Sequence, residues 1–304
     1  MYYNKRKNSR FLKAKSFPFC YSGYCNYKEE KIAMKFMYFF DDKIKRHIMK
    51  GKKYCNPAET GKYECGISCI RQGDVNLWFY TKNGVTIAVD SGHLNYRGVE
   101  NSFQQIGINP EEIKHVFITH ADVDHCGGID TSGTNIYPNA QVYLGKAESA
   151  YLNGSIHRMT KLGVKIKNCV RIKEGYYAID NNEKFDIGGI KVQSIPTPGH
   201  TLGHTCYIVD DKILFTGDCL AINEKGGYSF FDFFTQYPDM NKKSLVKLKA
   251  LIDKIQHIQL EYVCTGHSGI RKYSDVIFAH IDESAQFSKR KPFDDKAPYD
   301  AFIR

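Results

Sequence analysis

Four side chains able to ligate a metal fall within six positions, in His120-Ala121-Asp122-Val123-Asp124-His125, and Cys126-Gly127-Gly128 follows them. Imidazole nitrogens and carboxylate oxygens are the donors that hold zinc, iron or manganese. Packed together in one loop, such groups would be left unpaired in an apolar setting unless something, usually a metal, satisfied them. Three later segments have the same character: Pro198-Gly199-His200, Gly217-Asp218 and Gly266-His267. In each, an apolar run ends on a glycine beside a His or an Asp, and glycine lets the backbone turn sharply and approach another chain segment closely. The sequence contains no Gly-x-Ser-x-Gly elbow, no P-loop and no Rossmann glycine fingerprint, so metal chemistry is the expectation rather than a serine nucleophile or a nucleotide cradle.

These loops need strands to carry them. His115–Thr119 reads as a buried strand leading into His120, Ile190–Ile195 as the strand before His200, Ile213–Thr216 as the strand before Asp218, and Leu260–Thr265 as the strand before His267. Upstream, Gly66–Arg71, Leu77–Thr81 and Val85–Asp90 have strand composition, and Asn83-Gly84 marks a hairpin because both residues tolerate positive φ. Gln141–Leu144 is a further strand running into a helix through Tyr151, and hairpins are expected across Gly188-Gly189 and Asp210-Asp211. Helices are expected over Val99–Ile108, over Ser244–Ile258, where Leu245, Leu248, Leu251, Ile252, Ile255 and Ile258 follow a 3.6-residue period, and over Asp275–Ser284. Strands followed by helices, twice over, suggest two sheets packed face to face with helices outside. Asp90-Ser91-Gly92-His93 reads as support for the ligand loop, His204 as structural, and Cys126 and Cys219 as small buried neighbours of ligands. The aromatic stretch between Gly226 and Met240 (Tyr228, Phe230, Phe231, Phe233, Phe234, Tyr237) reads equally as a pocket wall and as a satellite core.

Taken in order, the four ligand segments resemble the metallo-β-lactamase-fold superfamily of metal-dependent hydrolases, whose mark is His-x-His-x-Asp-His, then a His after Pro-Gly, an Asp after Gly and a late Gly-His. The resemblance covers roughly Gly66 to Glu283. It implies an α/β, four-layer αββα sandwich with a two-metal site at one edge. It also implies that His120 and His200, with Asp122 as third ligand, bind one metal, that Asp124, His125 and His267 bind a second, and that Asp218 bridges them. A metal-bound hydroxide would attack a thioester, lactone, ester or β-lactam carbonyl, with Asp124 orienting it as the catalytic residue. The departure from the pattern is Asp122, where the family has His. A shorter, charged oxygen ligand there makes the site harder, so iron or manganese stand beside zinc as the metal, or only the second site fills. Alternatives within the fold are a phosphodiesterase or nuclease and a di-iron redox protein resembling the flavodiiron oxygen reductases; outside it, a non-catalytic metal- or RNA-binding module.

Composition bounds these readings. Residues 1–53 carry 15 Lys/Arg against 4 Asp/Glu, and residues 54–304 carry 28 against 29, so the formal charge of +10 sits in an N-terminal arm. A nucleic-acid partner is accordingly disfavoured for the core and left open for the arm, and a small molecule is the expected substrate. The chain divides into a basic extension (1–53, a disordered tail or a mis-assigned start), a hydrolase domain (54–284) and a charged tail (285–304). No run approaches the ~18 apolar residues of a membrane span, and no signal-peptide core is present, so a cytoplasmic location with ten reduced cysteines is expected.

Overall fold

The computed structural model describes residues 54–94, 98–132, 135–159, 165, 166, 168, 170–172, 175–255 and 257–286. The basic extension, 1–53, and 287–304 of the charged tail lie outside the described residues. Two sheets dominate. The first is built from β1 (Gly61–Lys62), β2 (Ile67–Gln72), β3 (Val75–Lys82), β4 (Val85–Val89), β5 (His115–Ile118) and β6 (Gln141–Gly145), side by side in that order. Strands β1 to β4 are antiparallel neighbours, and β5 and β6 join parallel. The chain then makes a two-stranded ribbon, β7 (Arg158–Met159) with β8 (Lys165–Ile166), before β9 (Tyr177–Ile179) returns beside β6.

The second sheet runs through β10 (Lys184–Ile187), β11 (Ile190–Pro196), β12 (Thr205–Val209) and β13 (Ile213–Phe215). A small sheet of β14 (Leu220–Asn223), β15 (Gly226–Ser229) and, later, β18 (His280–Ser284) lies apart from it, and β16 (Tyr262–Cys264) and β17 (Ile270–Lys272) complete the second sheet beyond β13. Among the described residues the α-helices are α1 (Val99–Ile106), α2 (Val123–Cys126), α3 (Ser149–Leu152) and α4 (Pro238–Lys254).

Period-2 alternation decides which side chain enters which layer. On β3, Trp78 and Tyr80 point into the space between the two sheets, while Leu77 and Phe79 pack on the outer face with Val99, Phe103 and Ile106 of α1. On β12, Tyr207 and Val209 face the inter-sheet core, while Cys206 and Ile208 face Leu245, Leu248 and Ile252 of α4. Helix, sheet, sheet, helix is thus the layering, the αββα sandwich expected from the sequence.

Two helix expectations need correction. The helix placed over Ser244–Ile258 begins earlier, at Pro238, and ends at Lys254. Proline is preorganised for a first helical turn, where its missing N–H would be unsatisfied in any case. At the other end Ile255 turns extended, so Ile258 reaches the same core from the following loop. The helix expected over Asp275–Ser284 is a 3₁₀ turn at Asp275–Phe278 followed by β18. Pairing with the open edge of β15 satisfies its backbone, a tertiary gain that local composition does not encode.

Candidate metal centre

All seven expected ligands come together at one end of the two sheets, on the segments that leave strand ends, Asp124 and His125 on the short helix α2. His120, Asp122, Asp124 and His125 follow β5, His200 follows β11, Asp218 follows β13 and His267 follows β16. Their donor atoms form overlapping groups: His120 with Asp122 and His200, His120 with His125 and Asp218, and Asp124 with His125 and His267, the atoms of each group lying within 4.8 Å of one another. Asp218 sits among the imidazoles, with Oδ1 3.3 Å from His125 Nε2 and Oδ2 3.1 Å from His267 Nε2 and 3.8 Å from His200 Nε2. Asp124 Oδ2 lies 3.7 Å from His267 Nε2.

Neighbouring groups fix three of the rings so that Nε2 faces the centre. The Nδ1–H of His125 donates to Asp90 Oδ2 at 2.8 Å, that of His267 to the Asp74 carbonyl at 2.6 Å, and that of His120 to Thr119 Oγ1 at 3.0 Å. Such partners set the tautomer of a ligating histidine. Asp90, held at a positive φ of 64°, also accepts the backbone N–H of Thr119 at 2.8 Å, so the residue read as support for the loop does anchor it. His204 has both nitrogens engaged: Nδ1 with Thr197 Oγ1 at 2.8 Å, and Nε2 accepting the backbone N–H of Asp218 at 3.2 Å. It therefore positions Asp218 rather than joining Cys206 and Cys219 as a ligand.

The donors fit a divalent cation. His120 Nε2 and Asp218 Oδ1 are buried polar atoms with no hydrogen-bond partner, as metal-directed atoms are. Electrostatics agree. Burial opposes the charge on His125, yet Asp218 and Asp90 outweigh it and raise its pKa well above the usual value. Burial likewise opposes ionisation of Asp218, yet His267 and His125 hold it well below the usual carboxylate range. The Asp218 carboxylate is thereby kept ionised, and the acids around His125 make its surroundings favourable to a cation.

Three positions escaped the sequence reading. Glu148, wholly buried, accepts the N–H of Ala121 at Oε2 and of Gly203 at Oε1, both at 2.7 Å, and so ties the His120 loop to the His200 loop. Asp74 lies beneath His267. Arg158, the first residue of β7, forms a two-point ion pair with Asp122, Nε to Oδ1 at 2.7 Å and Nη2 to Oδ2 at 2.8 Å. Burial would raise the Asp122 pKa, but Arg158 and the two histidines depress it well below the ordinary value. Burial, followed by Arg158, pushes His200 down to about 3, leaving a neutral ring. None of the three stands in a motif that the sequence singles out. Within the aromatic stretch, Tyr228, Phe230 and Phe231 pack with Tyr54 in a satellite core, and the Phe230 ring also lies 5.3 Å from His200 and 5.7 Å from His267.

Residues 70–267 match the metallo-beta-lactamase superfamily, well over half of the 304-residue chain, and the chain belongs to that superfamily. Hydroxyacylglutathione hydrolase of Dictyostelium discoideum is 31% identical over 152 residues, 48% of this chain and 47% of that protein. A probable polyketide biosynthesis zinc-dependent hydrolase, PksB, of Bacillus subtilis (strain 168) is 27% identical over 191 residues, 59% of this chain and 70% of its own. The lactamase-like protein adaB of Aspergillus niger is 28% identical over 133 residues, 43% of this chain, which spans only 34% of that relative. Among solved structures, MEM-A1, a subclass B3 metallo-beta-lactamase from a soil metagenome library, shares the fold with a TM-score of 0.51, 17% identity and coverage of 71% of this chain and 81% of its own. No helix among the described residues is long and apolar enough to cross a membrane.

Proposed function

We propose that the chain is a metal-dependent hydrolase that opens an activated carbonyl: a thioester, lactone, ester or β-lactam. The observation that carries this reading is the convergence of four imidazoles and three carboxylates from four strand ends on one place, with buried donor atoms left unpartnered. Zinc is the favoured metal on the nitrogen-rich donor set, and a relative named as zinc-dependent supports it. A divalent cation in such a site lowers the pKa of water toward ~7 and polarises a carbonyl oxygen.

The chain's own residues supply the remainder. Asp124, 8% exposed at the rim of the centre, accepts a hydrogen bond from the attacking water and aims it at the carbonyl carbon. Asp218 and the imidazoles of His120, His125 and His267 hold their positions through His204, Thr119, Asp90 and the Asp74 carbonyl, so no reorganisation is needed when substrate arrives. Phe230 covers one side of His200 and His267 and keeps bulk water from them. A relative named hydroxyacylglutathione hydrolase supports acyl hydrolysis over phosphodiester cleavage.

The test is turnover of a panel of thioesters, lactones, β-lactams and phosphodiesters by zinc-loaded and chelator-treated protein. The reading expects chelator-sensitive hydrolysis of a carbonyl substrate. Cleavage confined to the phosphodiesters would transfer the chain to the nuclease reading, and turnover indifferent to chelation would remove the metal from the mechanism.

A further inference from the structure

We infer that the guanidinium of Arg158 takes the place of a cation at the His120–Asp122–His200 group, so that the chain holds a single divalent metal, at Asp124, His125, His267 and Asp218, beside a fixed organic cation. The inference rests on the metal-dependent reading above and deepens it.

Arg158 is 8% exposed, and its partners use every N–H it has. Nε and Nη2 grip the two oxygens of Asp122 at 2.7 and 2.8 Å. Nη1 donates to the His200 carbonyl at 2.6 Å and reaches Gln236 Oε1 at 3.5 Å. Nη2 also donates to the Phe234 carbonyl at 2.7 Å and faces His200 Nε2 at 3.0 Å. Nη2 has two N–H groups, which Asp122 and Phe234 take, and His200 Nε2 itself lies 3.1 Å from Asp122 Oδ2. The guanidinium nitrogen thus occupies the space beside two of the three donors of the first group, where a cation would otherwise sit. The planar fork of a guanidinium matches a carboxylate bidentately, which explains why Asp rather than His stands at position 122.

Buried charge is tolerated where it is paired. Swinging Arg158 aside to admit a second ion would break its two-point pair with Asp122 and its bonds to the carbonyls of His200 and Phe234.

The experiment is a zinc titration of the chelator-stripped full-length chain by calorimetry, with elemental analysis after dialysis. One equivalent is expected for the unaltered protein. His120→Ala should keep that equivalent with affinity within about threefold, whereas His267→Ala should weaken it by 100-fold or more. Arg158→Met should admit a second equivalent, and Arg158→Lys, which keeps a cation, should remain at one. Two equivalents in the unaltered protein, or loss of zinc in His120→Ala, would overturn the inference and leave the metal reading standing. A folded Arg158→Met variant still limited to one equivalent would overturn it as well. Zero equivalents in the unaltered protein would remove the metal-dependent reading itself. The unaltered protein and the His120 variant decide the matter even where Arg158→Met does not fold.

Discussion

At the scale of single residues, the candidate ligands could be singled out because donors on strand-end loops carry their own signal: polar, chemically specific side chains next to glycine after an apolar run. Arg158, Glu148 and Asp74 could not be, for a physical reason. Each acts by meeting groups far away in the sequence, as Glu148 meets Ala121 and Gly203 and Arg158 meets Asp122 and His200. One residue of an ion pair says nothing about its partner until the fold is known. Glu148 illustrates what such groups contribute. A carboxylate offers two acceptor oxygens to two backbone donors, while an amide replaces one oxygen with a donor. Glu148→Gln should therefore set an NH₂ against one of the two N–H groups. Loss of a partner around a metal ligand typically costs about 10–100-fold in metal affinity. The expected result is zinc affinity lower by that factor, read by competition with a chromophoric chelator; unchanged affinity would make Glu148 a bystander.

At the scale of elements, strands with alternating side chains were read correctly within a residue or two, since layer assignment follows directly from period 2 on β3 and β12. The failure over Asp275–Ser284 has the opposite cause: β18 is a strand because β15 offers it an edge. Loops between elements were read by their glycines, and Gly266 shows why this works. A Cβ on Gly266 would press into Asp218 Oδ1 and His125 Cε1, so the loop after β16 can lie against the centre only without a side chain. Gly266→Ala removes no ligand, yet it should abolish tight zinc binding while the far-ultraviolet spectrum stays that of the folded chain. Tight zinc binding in that variant would mean the loop has room to yield.

At the scale of the whole molecule, the sandwich holds the four ligand loops in register by burying apolar side chains on both faces of both sheets. The inter-sheet layer is the part the two halves share: Trp78, Phe117 and Tyr143 from one sheet, Tyr207, Phe215 and Tyr262 from the other. Phe215 lies immediately before Thr216-Gly217-Asp218 and is 1% exposed, so it couples core packing to the site. Phe215→Ala should cost about 3–5 kcal/mol by the usual range for deleting a buried ring. Denaturant unfolding measures that loss, and a change below about 1 kcal/mol would show that this layer does not bear on stability. The fold class was open to sequence reading because layering depends on pattern, and patterns survive without knowledge of contacts. What pattern does not reveal is charge balance at the centre, which depends on where β7 brings Arg158.

The most direct measurement is an anomalous difference map from crystals of the zinc-loaded chain, recorded on both sides of the zinc edge. The account predicts a peak within about 2.0–2.2 Å of Nε2 of His125 and of His267, bordered by Asp124 and Asp218. A map showing zinc elsewhere on the molecule, with that position empty, would contradict it.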